Sequence, residues 1–202
     1  ESKRAKKAVK VIHQNFFSDR HTIDVFLVGC GNVGTELLGQ IEKQQPALLK
    51  RNVQLRVYGI ANSRKLLLNS QGIDLSGDWK AALESASEGL SVERLHQFAN
   101  DNSLVNPVIV DCTSHEAIAQ QYVDMMESGF HVVTPNKKAN TSAMSYYRKL
   151  RKTAQSTNRQ YLYETTVGAG LPVIDNLQTL FSAGDTLHRF EGILSGSLSY
   201  VF

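Results

Sequence analysis

The chain has 202 residues, 42% hydrophobic and 20% charged, a balance that excludes a disordered protein and suits one large α/β domain or one domain plus part of another. No apolar run reaches the roughly 18 residues of a membrane span, and the charged N-terminus has no apolar stretch behind it, so no membrane partner and no secretory signal are predicted. The net charge of +3 is a property of the tail: residues 1–10 hold five Lys/Arg and one Glu, while the other 192 residues hold 17 Lys/Arg against 18 Asp/Glu, so no nucleic-acid partner is expected.

Strand-type and helix-type segments alternate after residue 20. Ile23–Val28 is a short apolar run ended by glycine and reads as a buried strand. A helix is predicted from Val33 to about Gln45, stopping before Pro46. Gln54–Ala61 reads as the second strand. Residues 63–104 are less regular, with helices predicted over 78–87 and 91–100 and a loop at Gly72 and Gly77. The rhythm then returns: strand Pro107–Cys112, helix 114–128, strand His131–Thr134, helix 140–157, strand Gln160–Tyr163, helix Leu171–Ser182, and a further strand over 187–195. Strands separated by helices pair in parallel, so the predicted fold is α/β with a doubly wound sheet. The last residues, Ser195–Phe202, are apolar without a stop signal, and the expectation is a piece of a longer chain.

Gly29-Cys-Gly-Asn-Val-Gly34 fits G-x-G-x-x-G, and it follows a strand and opens a helix, the context in which that spacing carries information. Gly29 permits the turn, Gly31 lets a pyrophosphate approach the backbone, and Gly34 lets helix and strand pack closely. The N–H groups of Asn32 and Val33 then open the helix toward the phosphates. The bland alternative is a glycine turn with no ligand. After the second strand comes Ala61-Asn-Ser-Arg-Lys65, with no acid to meet a ribose 2′-hydroxyl. Arg64 can pair with a 2′-phosphate and Lys65 adds a second charge, so NADP(H) is favoured over NAD(H). A solvated basic pair is the alternative.

Several stretches together resemble the homoserine dehydrogenases. They are the glycine loop with Ala61-Asn-Ser, Asp111-Cys-Thr-Ser114, Val132-Val-Thr-Pro-Asn-Lys-Lys138, Glu164-Thr-Thr-Val-Gly-Ala-Gly-Leu-Pro172, and Gly192-Ile-Leu-Ser-Gly-Ser-Leu-Ser199. They run in family order from residue 23 to the C-terminus. More loosely, residues 1–20 resemble the connector that follows the kinase half of bifunctional aspartokinase–homoserine dehydrogenases. The resemblance implies three segments: a connector helix over 1–20, a Rossmann-type dinucleotide-binding domain over 21–164, and over 165–202 the start of an α+β catalytic or dimerisation domain.

The implied reaction is NAD(P)-dependent interconversion of L-homoserine and L-aspartate 4-semialdehyde, on the route to threonine and methionine. A cytoplasmic homo-oligomer is expected; Cys30 and Cys112 match no metal or redox spacing, which agrees with a reducing compartment. By resemblance Thr113 and Ser114 touch the nicotinamide ribose, although Ser114 also reads as a helix N-cap. Lys137 matches the family's active-site lysine, close to cofactor and substrate. The main-chain oxygens of Glu164, Val167, Ala169 and Leu171 match a site for sodium or a similar ion such as potassium. Gly196 and Ser197 match a substrate-side turn. His115 and His131 are read as non-catalytic. Two rival readings stay open: an aspartate-semialdehyde-type dehydrogenase with Cys112 as nucleophile, and a non-catalytic module that binds NADPH or oligomerises.

Overall fold

The structure, a computed structural model, describes residues 20–193 together with Ala5, Ala8, Val9 and Ile12, which are helical. The rest of the expected connector, and both Gly196 and Ser197, lie outside the described residues. Six strands form one sheet: β1 (His21–Val28), β2 (Val53–Ala61), β3 (Leu66–Leu68), β4 (Pro107–Asp111), β5 (His131–Val133) and β6 (Tyr161–Leu162), in spatial order β3-β2-β1-β4-β5-β6. All neighbours pair in parallel except β2 and β3. The order reverses between β1 and β4, the place where ligands bind in doubly wound sheets.

The helices are α1 (Asn32–Lys50), α2 (Trp79–Ser85), α3 (Val92–Asp101), α4 (Glu116–Ala119), α5 (Tyr122–Glu127), α6 (Lys138–Thr141), α7 (Met144–Thr157) and α8 (Val173–Ser182). Strand alternation sends side chains to two cores. Val25, Leu27, Val57, Ile60 and Val110 pack on one face against Leu38 and Ile41 of α1 and Leu83 of α2. Phe26, Val28, Tyr58, Ile109 and Val132 pack on the other, against α3, α5 and α7. There Phe26 meets Phe98 and Phe130 edge to face, with centroids 5.9 and 5.6 Å away, pairs worth about 0.5–1.5 kcal/mol each beyond area burial.

Several expectations are corrected. The first helix does not stop before Pro46 but carries it inside and runs to Lys50. Pro46 is exposed, so water can solvate the carbonyl it leaves unbonded; the stop comes at Asn52, whose φ of 59° takes the left-handed conformation that ends helices. The helix expected over 114–128 is two, because the chain tightens at Gln121, whose N–H donates three residues back to Ile118. The helix expected over 140–157 begins earlier and is interrupted: Ser142 is extended between α6 and α7. Within 63–104 the antiparallel strand β3 was not anticipated. No strand forms over 187–193, where Leu187, Phe190 and Ile193 stand about half exposed with no neighbouring strand among the described residues. None of the helices among the described residues is long and apolar enough to cross a membrane.

Candidate functional site

The carboxyl ends of β1, β2 and β4 open onto a cleft of about 800 Å³. Gly29, Gly31, Asn62, Arg64, Thr113 and Ser114 are in its wall. The glycine loop is built as its spacing demands. Gly29 takes φ 99°, and its N–H donates to the Ala61 carbonyl at 2.8 Å, which ties the loop to the end of β2. At Gly34 a Cβ would stand 1.9 Å from the Gly29 carbonyl oxygen, so the helix can lie this close to the strand only without a side chain there. At Gly31 a Cβ would meet nothing within 4 Å, which leaves open space above the loop. No side chain caps the N-terminus of α1, which follows directly on Gly31 in the cleft wall, and its first turn holds no acid, so no side chain competes for its leading N–H groups. These features fit a dinucleotide pyrophosphate.

Asn62 organises the basic turn: its side-chain oxygen accepts the N–H groups of Arg64 at 2.9 Å and Lys65 at 2.8 Å. The turn separates the two cations. Arg64 faces the cleft, whereas the Lys65 ammonium reaches the Glu84 carbonyl and lies 3.7 Å from the Glu84 carboxylate. Of the two charges expected near a 2′-phosphate, Arg64 alone lines the cleft. Asn32, Val33 and Gly34 belong to the first turn of α1, with Val33 exposed. Ala61 is buried and serves as the anchor of the loop, accepting also from the Cys30 thiol at 3.3 Å.

Thr113 and Ser114 line the cleft, and Ser114 is not a helix cap; His115 occupies the N-cap of α4 without a side-chain bond. His115 itself lines the cleft, and so do four residues that the sequence did not single out, Gly89, Leu90, Ile118 and Gln121. His131 is elsewhere: it begins β5, at the opposite edge of the sheet from the cleft. Cys30 and Cys112 both line the cleft, but burial pushes each thiol up to about 11, aided at Cys112 by the charge of Asp111. Such a thiol holds little thiolate at neutral pH, which weighs against a nucleophilic role for Cys112.

Lys137 does not share this cleft. It follows β5 and opens on a neighbouring cavity of about 450 Å³, together with Tyr147, Tyr163 and Val167. Burial and the adjacent Tyr147 hydroxyl, 3.1 Å away, push the Tyr163 phenol up to about 12. Lys137 and the turn at Thr113–Ser114 are nevertheless joined from below by a buried polar network around Asp111.

The loop after β6 begins as a 3-10 turn over Glu164–Thr166. The Glu164 carboxylate caps α8, accepting from Ile174 N–H at 2.9 Å and Asp175 N–H at 2.7 Å. The main-chain oxygens of Glu164 and Leu171 accept the N–H groups of Val167 and Val173, so each keeps one lone pair for any further partner. Gly168 and Ala169 both take positive φ, 73° and 51°. Replacing Gly168 by Val should loosen this loop, since a Cβ there would stand 2.7 Å from Val173 Cγ2. The expected cost is about 1–3 kcal/mol, measured by thermal unfolding, with faster exchange of the Leu171 and Val173 N–H groups. Unchanged exchange and stability would show that the loop tolerates a side chain at 168.

Residues 29–164 match the sequence model of the family described as homoserine dehydrogenase, NAD binding domain. The chain belongs to that family. Among curated relatives, the bifunctional aspartokinase/homoserine dehydrogenase of Haemophilus influenzae is 52% identical over 199 residues, and that of Buchnera aphidicola 48% over 196. These matches cover 98% and 97% of this chain, which spans about a quarter (24%) of each relative's length. Among solved structures, a Candida auris protein of unknown function superposes with a TM-score of 0.78 at 33% identity, covering 89% of this chain and 49% of that one. A homoserine dehydrogenase from Thermoplasma acidophilum shares the fold with a TM-score of 0.61 at 24% identity, covering 81% and 49%. A hyperthermophilic archaeal homoserine dehydrogenase mutant in complex with NADPH does so with a TM-score of 0.62 at 24% identity, covering 80% and 50%.

Proposed function

We propose that this chain is the cofactor half of a homoserine dehydrogenase, interconverting L-homoserine and L-aspartate 4-semialdehyde, and that it prefers NADP(H) to NAD(H). The observation that carries the reading is the cleft at the reversal of strand order: a glycine loop with an uncapped helix N-terminus on one side and Arg64 on another, in a chain of this family. When bound, the nicotinamide supplies or accepts the hydride. The protein's own part is to hold it, orient it and manage a proton. Gly29, Gly31 and Gly34 with the N–H groups of Asn32 and Val33 receive the pyrophosphate, Ala61 anchors that loop, and Arg64 reads the ribose 2′-phosphate. Lys65, held by Glu84, contributes only a general positive field. Thr113 and Ser114 take the nicotinamide ribose.

Lys137 acts from the adjoining cavity. Its ammonium is a donor to the alcohol or aldehyde oxygen of the substrate, a place where negative charge develops as the hydride moves. A hydroxyl proton must also leave, and one lysine cannot both polarise that oxygen and hold the α-ammonium of an amino acid, which needs carboxylates. The 202-residue chain by itself is therefore expected to bind cofactor and to oxidise homoserine poorly. Gly196 and Ser197 remain the proposed substrate-side contacts. A sodium or potassium ion is assigned to the main-chain oxygens of Glu164, Val167, Ala169 and Leu171, on the support of the two positive-φ residues that turn the loop. The setting that accompanies this reading is a cytoplasmic homo-oligomer in amino-acid biosynthesis, and an aspartokinase unit in the same polypeptide is proposed because the relatives' names describe that fusion for them.

Coenzyme choice tests the reading. A charge-assisted contact to phosphate is worth about 1.5–3 kcal/mol, so Arg64→Ala should raise KM for NADP⁺ about tenfold to 150-fold and leave KM for NAD⁺ nearly unchanged. Equal KM values for the two coenzymes in the unmutated protein would overturn the assignment of Arg64.

A further inference from the structure

Asn136 hydrogen-bonds to His115 in the wall of the first cleft and directly precedes Lys137 in the wall of the second cavity. It is 4% exposed, and its N–H and both ends of its side-chain amide are engaged. Its side-chain Nδ2 donates to Asp111 Oδ2 and to the His115 carbonyl, both at 3.1 Å, while its Oδ1 accepts the Lys138 N–H at 3.1 Å. Its own N–H donates to Thr134 Oγ1 at 2.8 Å. Asp111, fully buried, completes the knot: Oδ2 also accepts from the Tyr122 hydroxyl at 2.5 Å, and Oδ1 from the Thr113 N–H at 2.7 Å. One amide thus clamps the turn that carries Thr113, Ser114 and His115 to the turn that carries Lys137.

We propose that Asn136 is a positioning residue which sets the place of Lys137 relative to the cofactor cleft. The inference rests on the assignment of Lys137 above. The two turns depend on Asn136 unequally. Without its amide, the Thr113 turn keeps the Asp111 bond and its own Thr113 Oγ1 bond from the His115 N–H at 3.3 Å. The Lys137 turn keeps its bonds into α6, from Asn140 and Thr141, and the Asn136 N–H bond to Thr134, but it loses both its side-chain link to Asp111 and His115 and the acceptor of the Lys138 N–H. The loss therefore falls on lysine placement rather than on cofactor affinity. A misplacement of about 1 Å can cost on the order of 10²-fold in a positioned reaction.

The test is a double-mutant cycle in the full-length chain, read as kcat for homoserine oxidation and as Kd for NADPH. Asn136→Ala should lower kcat about 10- to 100-fold and change the NADPH Kd less than about threefold. In a Lys137→Ala background the same substitution should have almost no further effect on kcat, because the group it positions is gone. A further loss of the same size in that background would show a merely structural role and overturn the proposal, as would a wild-type kcat for Asn136→Ala. Wild-type turnover by Lys137→Ala alone would instead overturn the assignment of the lysine. Should Asn136→Ala fail to fold, Asn136→Ser keeps an oxygen near the Lys138 N–H and loses the reach to Asp111, and the same cycle with that variant decides.

Discussion

Gly34→Ala is expected to abolish useful NADPH binding, lowering affinity at least about 100-fold, or roughly 2.7 kcal/mol. The added carbon would stand 1.9 Å from the Gly29 carbonyl oxygen and 3.2 Å from Leu27 Cδ2. The first is main chain and the second a buried side chain of β1, so α1 must move away from β1 and take its leading N–H groups with it. Stability should fall as well, since Leu38 and Ile41 on that helix pack against the sheet. Gly31→Ala separates the two effects. Its added carbon meets no protein atom, so thermal stability should hold while binding weakens by intrusion on the pyrophosphate. Calorimetric titration with melting curves for both variants is the check. Near-normal affinity in Gly34→Ala would show that the loop does not receive the phosphates.

In the full-length chain Lys137→Ala should lower kcat for homoserine oxidation about 10²- to 10⁴-fold while the NADPH Kd changes less than about threefold. The split follows from geometry, because Lys137 lines the cavity beside the cofactor cleft and not the cleft itself. Steady-state kinetics and equilibrium binding on one preparation measure both quantities. A kcat within threefold of wild type would remove Lys137 from the chemistry. A parallel loss of cofactor affinity would make it a cofactor ligand instead.

The sheet and its first cleft were largely legible because their signals are local. A buried parallel strand reads as a nearly continuous apolar run, as at Ile23–Val28 and Pro107–Cys112, each interrupted by a single aspartate, and three glycines at fixed spacing mark the turn between β1 and α1. What escaped depends on neighbours. Leu66–Leu68 has no periodicity to recognise and becomes a strand only because β2 offers an antiparallel edge. Pro46 looked like a helix end by its own chemistry, but exposure of the bond it removes lets the helix continue to the left-handed stop at Asn52. Lys65 was paired with Arg64 by adjacency, and Glu84, 19 positions later, draws it aside. The network around Asp111 joins the ends of β4 and β5 to α5 and has no linear signature. A faint signal was present: an aspartate closing the apolar run Pro107–Val110 is a buried polar group that must find donors.

The central claim is that these residues form an NADP(H)-binding unit, and titration of NADPH into the 202-residue chain by calorimetry tests it most directly. One saturable site is expected, with NADH bound at least about tenfold more weakly for want of the Arg64 contact. Absence of NADPH binding by the folded chain, or equal affinity for the two coenzymes, would contradict the account.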